Sequence, residues 1–138
     1  MANFSHQAAQ EMIHALLTGS EALMETVTGV FDFVPAKMEY PYITIGNSRA
    51  VDESTLGEEI AKLTLTLQVH SRAKGRKEAD EVMAAIHAIL HDADYAEVVQ
   101  GYRLISLKYQ NSEILLARDG VTYNGRMQFV AYLHAQTT

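Results

Sequence analysis

The longest regular feature of the chain is an alternation in "AKLTLTLQVH", which sets Leu63, Leu65, Leu67 and Val69 on one side and Lys62, Thr64, Thr66, Gln68 and His70 on the other. A period of two with one apolar and one polar side predicts a strand that packs one face on a core and leaves the other to water or a partner. Near the C-terminus Met127, Phe129, Ala131 and Leu133 interleave in the same way with Arg126, Gln128, Val130 and Tyr132. A shorter alternation in "YRLISLKYQ" is expected to put Ile105, Leu107 and Tyr109 on a common face. The C-terminal segments read as extended pieces about a turn at Asp119-Gly120 or Asn124-Gly125, dipeptides that tolerate the positive φ of tight turns. "PYITIG" enters a further strand at Pro41 and leads into a polar stretch, residues 47–59, expected to be an exposed arm or loop.

Two stretches change the period to 3.6. "FSHQAAQEMIHALLTG" places Phe4, Ala8, Met12, Ala15 and Leu16 on one arc, opposite Gln7, Gln10, Glu11 and His14. "KGRKEADEVMAAIHAILHD" lines up Ala79, Val82, Met83, Ile86, Ile89 and Leu90. Both patterns predict amphipathic helices. Gly19 suits the end of the first, and Ser20 with Glu21 suits the start of a short helix through "EALMET". "VFDFVP" reads as extended, because Pro35 disfavours helix just before it. The order helix, strands, helix, strands predicts an α+β fold: a mainly antiparallel sheet of about four strands with two main helices packed on one face. With 138 residues and no linker-like composition shift, one domain over 1–138 is the expectation.

Composition narrows the function classes. Hydrophobic residues make up 48% and charged residues 20%, as in ordinary globular proteins and unlike a disordered tail. A formal net charge of -6 argues against the broad positive surface of a duplex binder. The absence of cysteine excludes disulfides and thiolate metal sites. No run approaches the ~20 apolar residues of a membrane helix, and "MANFSHQAAQ" lacks a basic stretch before an apolar one, so a soluble chain with no membrane association is expected.

One segment stands against the acidic balance: "QVHSRAKGRKEADEV" brings His70, Arg72, Lys74, Arg76 and Lys77 to the junction of the long strand and the second helix. Free amides at a helix start attract anions. The stretch nevertheless lacks the spaced glycines and the Lys-Ser/Thr pair of a phosphate loop, and Glu78, Asp80 and Glu81 compensate its charge. It reads as a solvated corner or a protein contact, with nucleic acid as a lesser alternative. His87 and His91 share a helix face at the spacing of a zinc pair, but Ala88 stands where the "HExxH" motif has glutamate and no third ligand is indicated. Neither Ser48 nor Ser106 sits in a G-x-S-x-G elbow, and the pairs Glu58–Glu59 and Asp92–Asp94 lie in polar surroundings with nothing to raise a pKa. No catalytic, cofactor or metal residue is assigned. A small nucleic-acid- or metal-binding module, or a small hydrolase, remains the alternative to a structural role.

Taken together, "PYITIGNSRAVDEST", "LTLQVHSRAKGRKEADEVMAAIHAILHD" and "RDGVTYNGRMQFVAYLH" resemble the tail terminator, or tail-completion and tail-to-head joining, proteins of long-tailed phages, prophages and gene transfer agents. The likeness runs from about Pro41 to His134 and is carried by the proline-led strand, by Ser71-Arg72 ahead of Gly75, and by the Arg118–Gly120 turn. The resemblance implies a non-enzymatic α+β subunit of the virion, assembled in the host cytoplasm. It implies a homo-oligomeric ring, usually of six, on the end of the tail tube at the head–tail interface. There it would end tube growth and dock to the head connector or stopper protein, and DNA would pass through the lumen without specific binding.

A helix-covered sheet leaves Thr64, Thr66, Gln68, His70, Gln128, Val130 and Tyr132 facing away from the core, where ring contacts are expected. Candidate interface residues are Arg49, Asp52, Glu53, Glu58, His70, Arg72, Arg76 and Tyr132. Arg49, Arg72 or Arg76 of one copy is expected to pair with Asp52, Glu53 or Glu58 of the next. Acidic walls would let a duplex slide past rather than stick.

Overall fold

The structure, a computed structural model, describes residues 5–32 and 37–136. The elements in chain order are α1 (Ser5–Thr18), α2 (Glu21–Thr26), β1 (Val30–Phe31), β2 (Tyr42–Asp52), β3 (Ile60–Ser71), α3 (Lys77–Leu90), β4 (Tyr102–Leu116) and β5 (Tyr123–Ala135). They build a five-stranded sheet in the order β1-β2-β3-β5-β4. All neighbours are antiparallel except the two-residue β1, which runs parallel to β2. This is the expected α+β arrangement, with β1 added within the segment read as extended. Phe4 and Pro35, which entered that reading, lie outside the described residues.

The alternation in β3 and β5 dictates where the core sits. Leu63, Leu65 and Leu67 stand directly opposite Ala131, Phe129 and Met127, and all six are buried. Helix α3 covers them with Ala79, Val82, Met83, Ile86 and Leu90, the stripe its sequence predicts, while Ile89 is half-buried. Helix α1 is turned from its expected arc: Ala8, Ala9, Met12, Ile13 and Leu17 are buried, whereas Ala15 and Leu16 lie at the margin. The arc with Ile13 and Leu17 removes more apolar area from water, and area decides which face packs. Ser20 caps α2 by accepting the Leu23 amide at 3.3 Å. Each fully buried large side chain contributes about 1.5–3 kcal/mol, against about 0–1 kcal/mol for a surface ion pair, so packing of helices on sheet holds the fold.

Two expectations about β2 and β4 are corrected. Residues 47–52 are not a loop: Ser48 to Asp52 pair in register with Leu65 to Ala61, after a bulge between Ile45 and Ser48. The polar arm is thus a β-hairpin whose turn spans only 53–59. The bulge shifts the face of every later residue, which hides the alternation from inspection. In β4 a bulge between Leu104 and Ser106 turns Ile105 out to 48% exposure while Leu104 and Leu107 both face the core. Ile105 and Leu107 therefore do not share a face. A second bulge lies between Tyr109 and Asn111.

The β4–β5 connection turns at Asp119-Gly120, where the Asp119 carboxylate accepts the Val121 and Thr122 amides at 2.9 and 2.8 Å. Asn124-Gly125 lies inside β5. Glycine there lets α3 pack close, since a Cβ would overlap the Met83 sulfur and would oblige that side chain to move.

The bulge sets a direct test. Ile105→Thr is expected to change unfolding free energy by no more than about 0.5 kcal/mol, whereas Leu107→Ala costs about 2–5 kcal/mol. Urea denaturation checks both, and equal losses would contradict the register.

Candidate interaction surfaces

The face of the sheet away from the helices is open and polar. Its central residues are tied across strands: Asn111 donates to Gln128 at 3.0 Å, Gln128 donates to Thr66 at 3.5 Å, and Arg126 faces Glu113 at 3.5 Å. Register places Arg49, Lys62, Arg103, Lys108 and Arg126 on this face, with Glu113 the only carboxylate among the described strand residues there. A chain of net charge -6 thus keeps one locally basic face. Lys108 reaches round the sheet edge to the Asp92 carboxylate, and that contact holds Asp92 below the usual carboxylate range.

His70 and Tyr132, both candidates from sequence, lie on this face and are half-buried. His70 stacks on the Tyr42 ring with centroids 4.6 Å apart. Its Nδ1 lies 3.0 Å from Asn124 Oδ1 and its Nε2 3.0 Å from Thr44 Oγ1. The network fits a neutral ring that donates from Nδ1 and accepts at Nε2. Burial pushes the His70 pKa below the ordinary histidine value, against a smaller opposing effect of the Asn124 bond.

Arg72 ends β3 at the basic corner and is turned toward its own chain. Its guanidinium carbon stands 4.6 Å over the Tyr40 ring, its Nε donates to Thr122 Oγ1 at 3.0 Å, and a terminal nitrogen lies 3.7 Å from Asp119. The Thr122 hydroxyl and the turn amides hold the Asp119 carboxyl at about 2, with Arg72 adding to them. The corner is pinned again where buried Ser71 donates to Glu78 at 2.6 Å. Arg76 is the residue before α3 and makes no side-chain cap. Lys74, Arg76 and Arg118 form no ion pair with any described residue.

The remaining candidates gather at the other end of the sheet. Arg49 projects from β2, and Asp52, Glu53 and Glu58 crowd the tip of the β2–β3 hairpin beside Glu59. Asp52 is committed to the turn, accepting the Ser54 hydroxyl at 2.5 Å, which lowers its pKa. The structure thus brings the acidic candidates together and sets them apart from Arg72 and Arg76 by the length of β3. Eleven steps of ~3.3 Å between the first and last of its twelve residues make that separation about 36 Å. A hollow of about 420 Å³ beside this hairpin is bounded by Asp52, Ser54, Glu59 and Tyr102.

His87 and His91 stack with centroids 4.9 Å apart, and no group of three or more metal-binding side chains occurs among the described residues. Their placement has a structural reason. His91 Nδ1 accepts the Tyr109 amide at 3.0 Å and the Asp92 amide donates to Leu107 at 2.8 Å, closing part of the outer edge of β4. Sequence reasoning passed over six exposed apolar residues: Leu56 at the acidic tip, Leu115, Leu116 and Val121 at the far end of the β4–β5 hairpin, and Val51 and Val98 apart from either. For Leu56 a signal was present, as the lone large apolar residue within "DESTLGEE".

A histidine whose pKa falls on folding favours the neutral state, so its stabilisation is complete above the unfolded value of about 6.5 and is lost as pH drops toward the lowered folded value. His70→Gln should therefore trail the wild type in stability most at neutral pH, with the gap narrowing below about pH 6.5. Denaturation curves across that window check it, and a gap independent of pH would contradict the neutral, buried ring.

The sequence profile of the family described as tail completion protein gp17 matches residues 11–134. A search of curated proteins returned no match. Among solved structures, a chain in the virion of a native gene transfer agent (GTA) particle superposes with a TM-score of 0.88 at 22% identity, over 97% of this chain and 100% of that one. At that identity the likeness speaks for the fold alone. The profile covers all but the chain ends, from within α1 to the last residues of β5, and the chain therefore belongs to the tail completion protein gp17 family of structural phage-tail proteins.

Proposed function

We propose that the chain, acting as one domain, assembles into a ring of six on the end of the tail tube. The ring stops tube growth and presents the surface on which the head connector or stopper protein docks. The match of residues 11–134 to a tail completion family carries this reading. The geometry is consistent with it. A stiff antiparallel sheet bears carboxylates at one end and unpaired cations at the other, which suits a repeating head-to-tail contact between identical copies. Arg76, with Lys74 and Arg118, is the cationic partner best placed to meet Glu53 or Glu58 of a neighbour, because Arg72 is already engaged by Asp119, Thr122 and Tyr40.

The same charge map refines the path proposed for DNA. The open sheet face carries Arg49, Lys62, Arg103 and Arg126 against Glu113, with Lys108 drawn to Asp92 at its edge, so it suits contact with protein better than the lining of a channel that a duplex slides through. Its Tyr132 and His70 then belong to the surface turned toward the tube or connector. The chain acts by shape, with no bond-making step assigned to any of its side chains.

Native mass measurement of the purified protein, alone and with tail tubes, is expected to show a closed oligomer that forms or is strengthened on tubes. Particles assembled without it should carry tubes of irregular length detached from filled heads. Tubes of normal length firmly joined to heads in its absence would overturn the reading.

A further inference from the structure

The tip of the β2–β3 hairpin is a reverse turn in which Thr55 and Glu58 exchange backbone hydrogen bonds of 3.0 and 3.1 Å, with Gly57 at φ +89°. Turn positions favour small and polar residues for their backbone conformations. Leu56 occupies one of them with 104% relative exposure, so its side chain contributes nothing to the packing of its own chain. It is flanked by Asp52, Glu53, Glu58 and Glu59, with no cation from 52 to 59. At the opposite end of the sheet Leu115, Leu116 and Val121 are 46%, 55% and 52% exposed, beside Arg118 and the Lys74–Arg76 corner. The corner and the hairpin end are adjacent because Ser71 pairs with Tyr123, which pairs with Leu116, and because Arg72 bonds Thr122.

We propose that Leu56 is the apolar anchor of a contact between two copies of this chain, seated on the Leu115–Leu116–Val121 end of the next copy's β4–β5 hairpin. The inference rests on the self-assembly reading above and names the surface that performs it. The two apolar features lie toward opposite ends of β3, a strand about 36 Å long, so they cannot meet within a chain. Charge selects among the ways copies can meet. Tip against tip would press four carboxylates on four with no cation between them; tip against the other end brings those carboxylates to Lys74, Arg76 and Arg118, which have no ion-pair partner among the described residues, around an apolar centre. Seated on a neighbour, a leucine ringed by carboxylates gives the contact an apolar centre and a polar rim, the usual anatomy of a protein interface. A contact joining different surfaces of identical subunits propagates, and closes into a ring when its rotation divides a full turn.

The chain has no cysteine, so single introduced thiols report the contact without background. Leu56→Cys and Val121→Cys proteins, each made separately, are mixed and oxidised with Ala84→Cys on the exposed side of α3 as control. The Leu56-to-Val121 disulfide is expected to exceed either pairing with the control by about tenfold, as local concentration in a specific contact requires. Control-level coupling overturns the proposal. So does a predominance of Leu56-to-Leu56 disulfides, which would mean tip-to-tip contact, and so does transfer of the Leu56→Cys crosslink to the tube protein when tubes are present. Leu56→Asp should reduce the mass of the assembly formed by the otherwise intact chain. An assembly of unchanged mass overturns the anchor and leaves the cap reading standing, whereas the expected disulfide in a chain whose loss leaves tails terminated and joined does the reverse.

Discussion

Burial of a single face of two long neighbouring strands is the constraint on which the structure depends. Leu63, Leu65, Leu67 and Val69 of β3 and Met127, Phe129, Ala131 and Leu133 of β5 form one continuous apolar surface, and the buried stripes of α1 and α3 cover it. Because successive side chains on a strand point to opposite sides, the same backbone that fills this core must display Lys62, Thr64, Thr66, Gln68 and His70, with Arg126, Gln128, Val130 and Tyr132, on the other side. The polar face is therefore a direct consequence of the core and is held as rigidly as the core is.

The bulges in β2 and β4 adapt this plan at its margins. In β4 the bulge at Ile105 keeps both Leu104 and Leu107 inward, so the edge strand stays anchored at the cost of one exposed isoleucine. The loop after α3 then closes the outer edge at Leu107–Tyr109 through Asp92 and His91, leaving Gln110–Glu113 and Leu115–Leu116 exposed beyond it. Guarding one stretch of an edge limits indiscriminate strand pairing while the projecting end of the hairpin stays available. The pinning of the basic corner by Ser71–Glu78 and by Arg72 with Asp119, Thr122 and Tyr40 has the complementary effect: it fixes where Lys74, Arg76 and Arg118 present their charge.

For a structural protein of the phage tail, this is a form of function carried by placement. Electrostatic complementarity chooses partners and registers more than it adds affinity, and apolar anchors supply the binding energy. A sheet about 36 Å long with carboxylates and a leucine at one end, and cations with leucines and a valine at the other, separates those two roles along one axis.

Much of this was legible in the chain itself. Local periodicity determined β3, β5 and α3 and their buried residues, since alternation and the 3.6-residue stripe arise from backbone geometry alone, and it placed Thr66, Gln128 and Tyr132 on the open face. The family signatures in the proline-led strand, the Ser71-Arg72 corner and the Arg118–Gly120 turn pointed to a tail-completion protein. Only the tertiary structure decided the rest. It extended β2 through Asn47–Asp52, because a polar segment becomes a strand when a partner such as β3 offers it hydrogen bonds. It turned Ile105 outward, because a bulge is a relation between two strands and leaves no mark in either. It also engaged Arg72 within its own chain and gathered the acidic candidates toward the end of the sheet that holds Arg49, about 36 Å from Arg72 and Arg76, because the distance between residues remote in sequence is set by packing and register, which no single segment encodes.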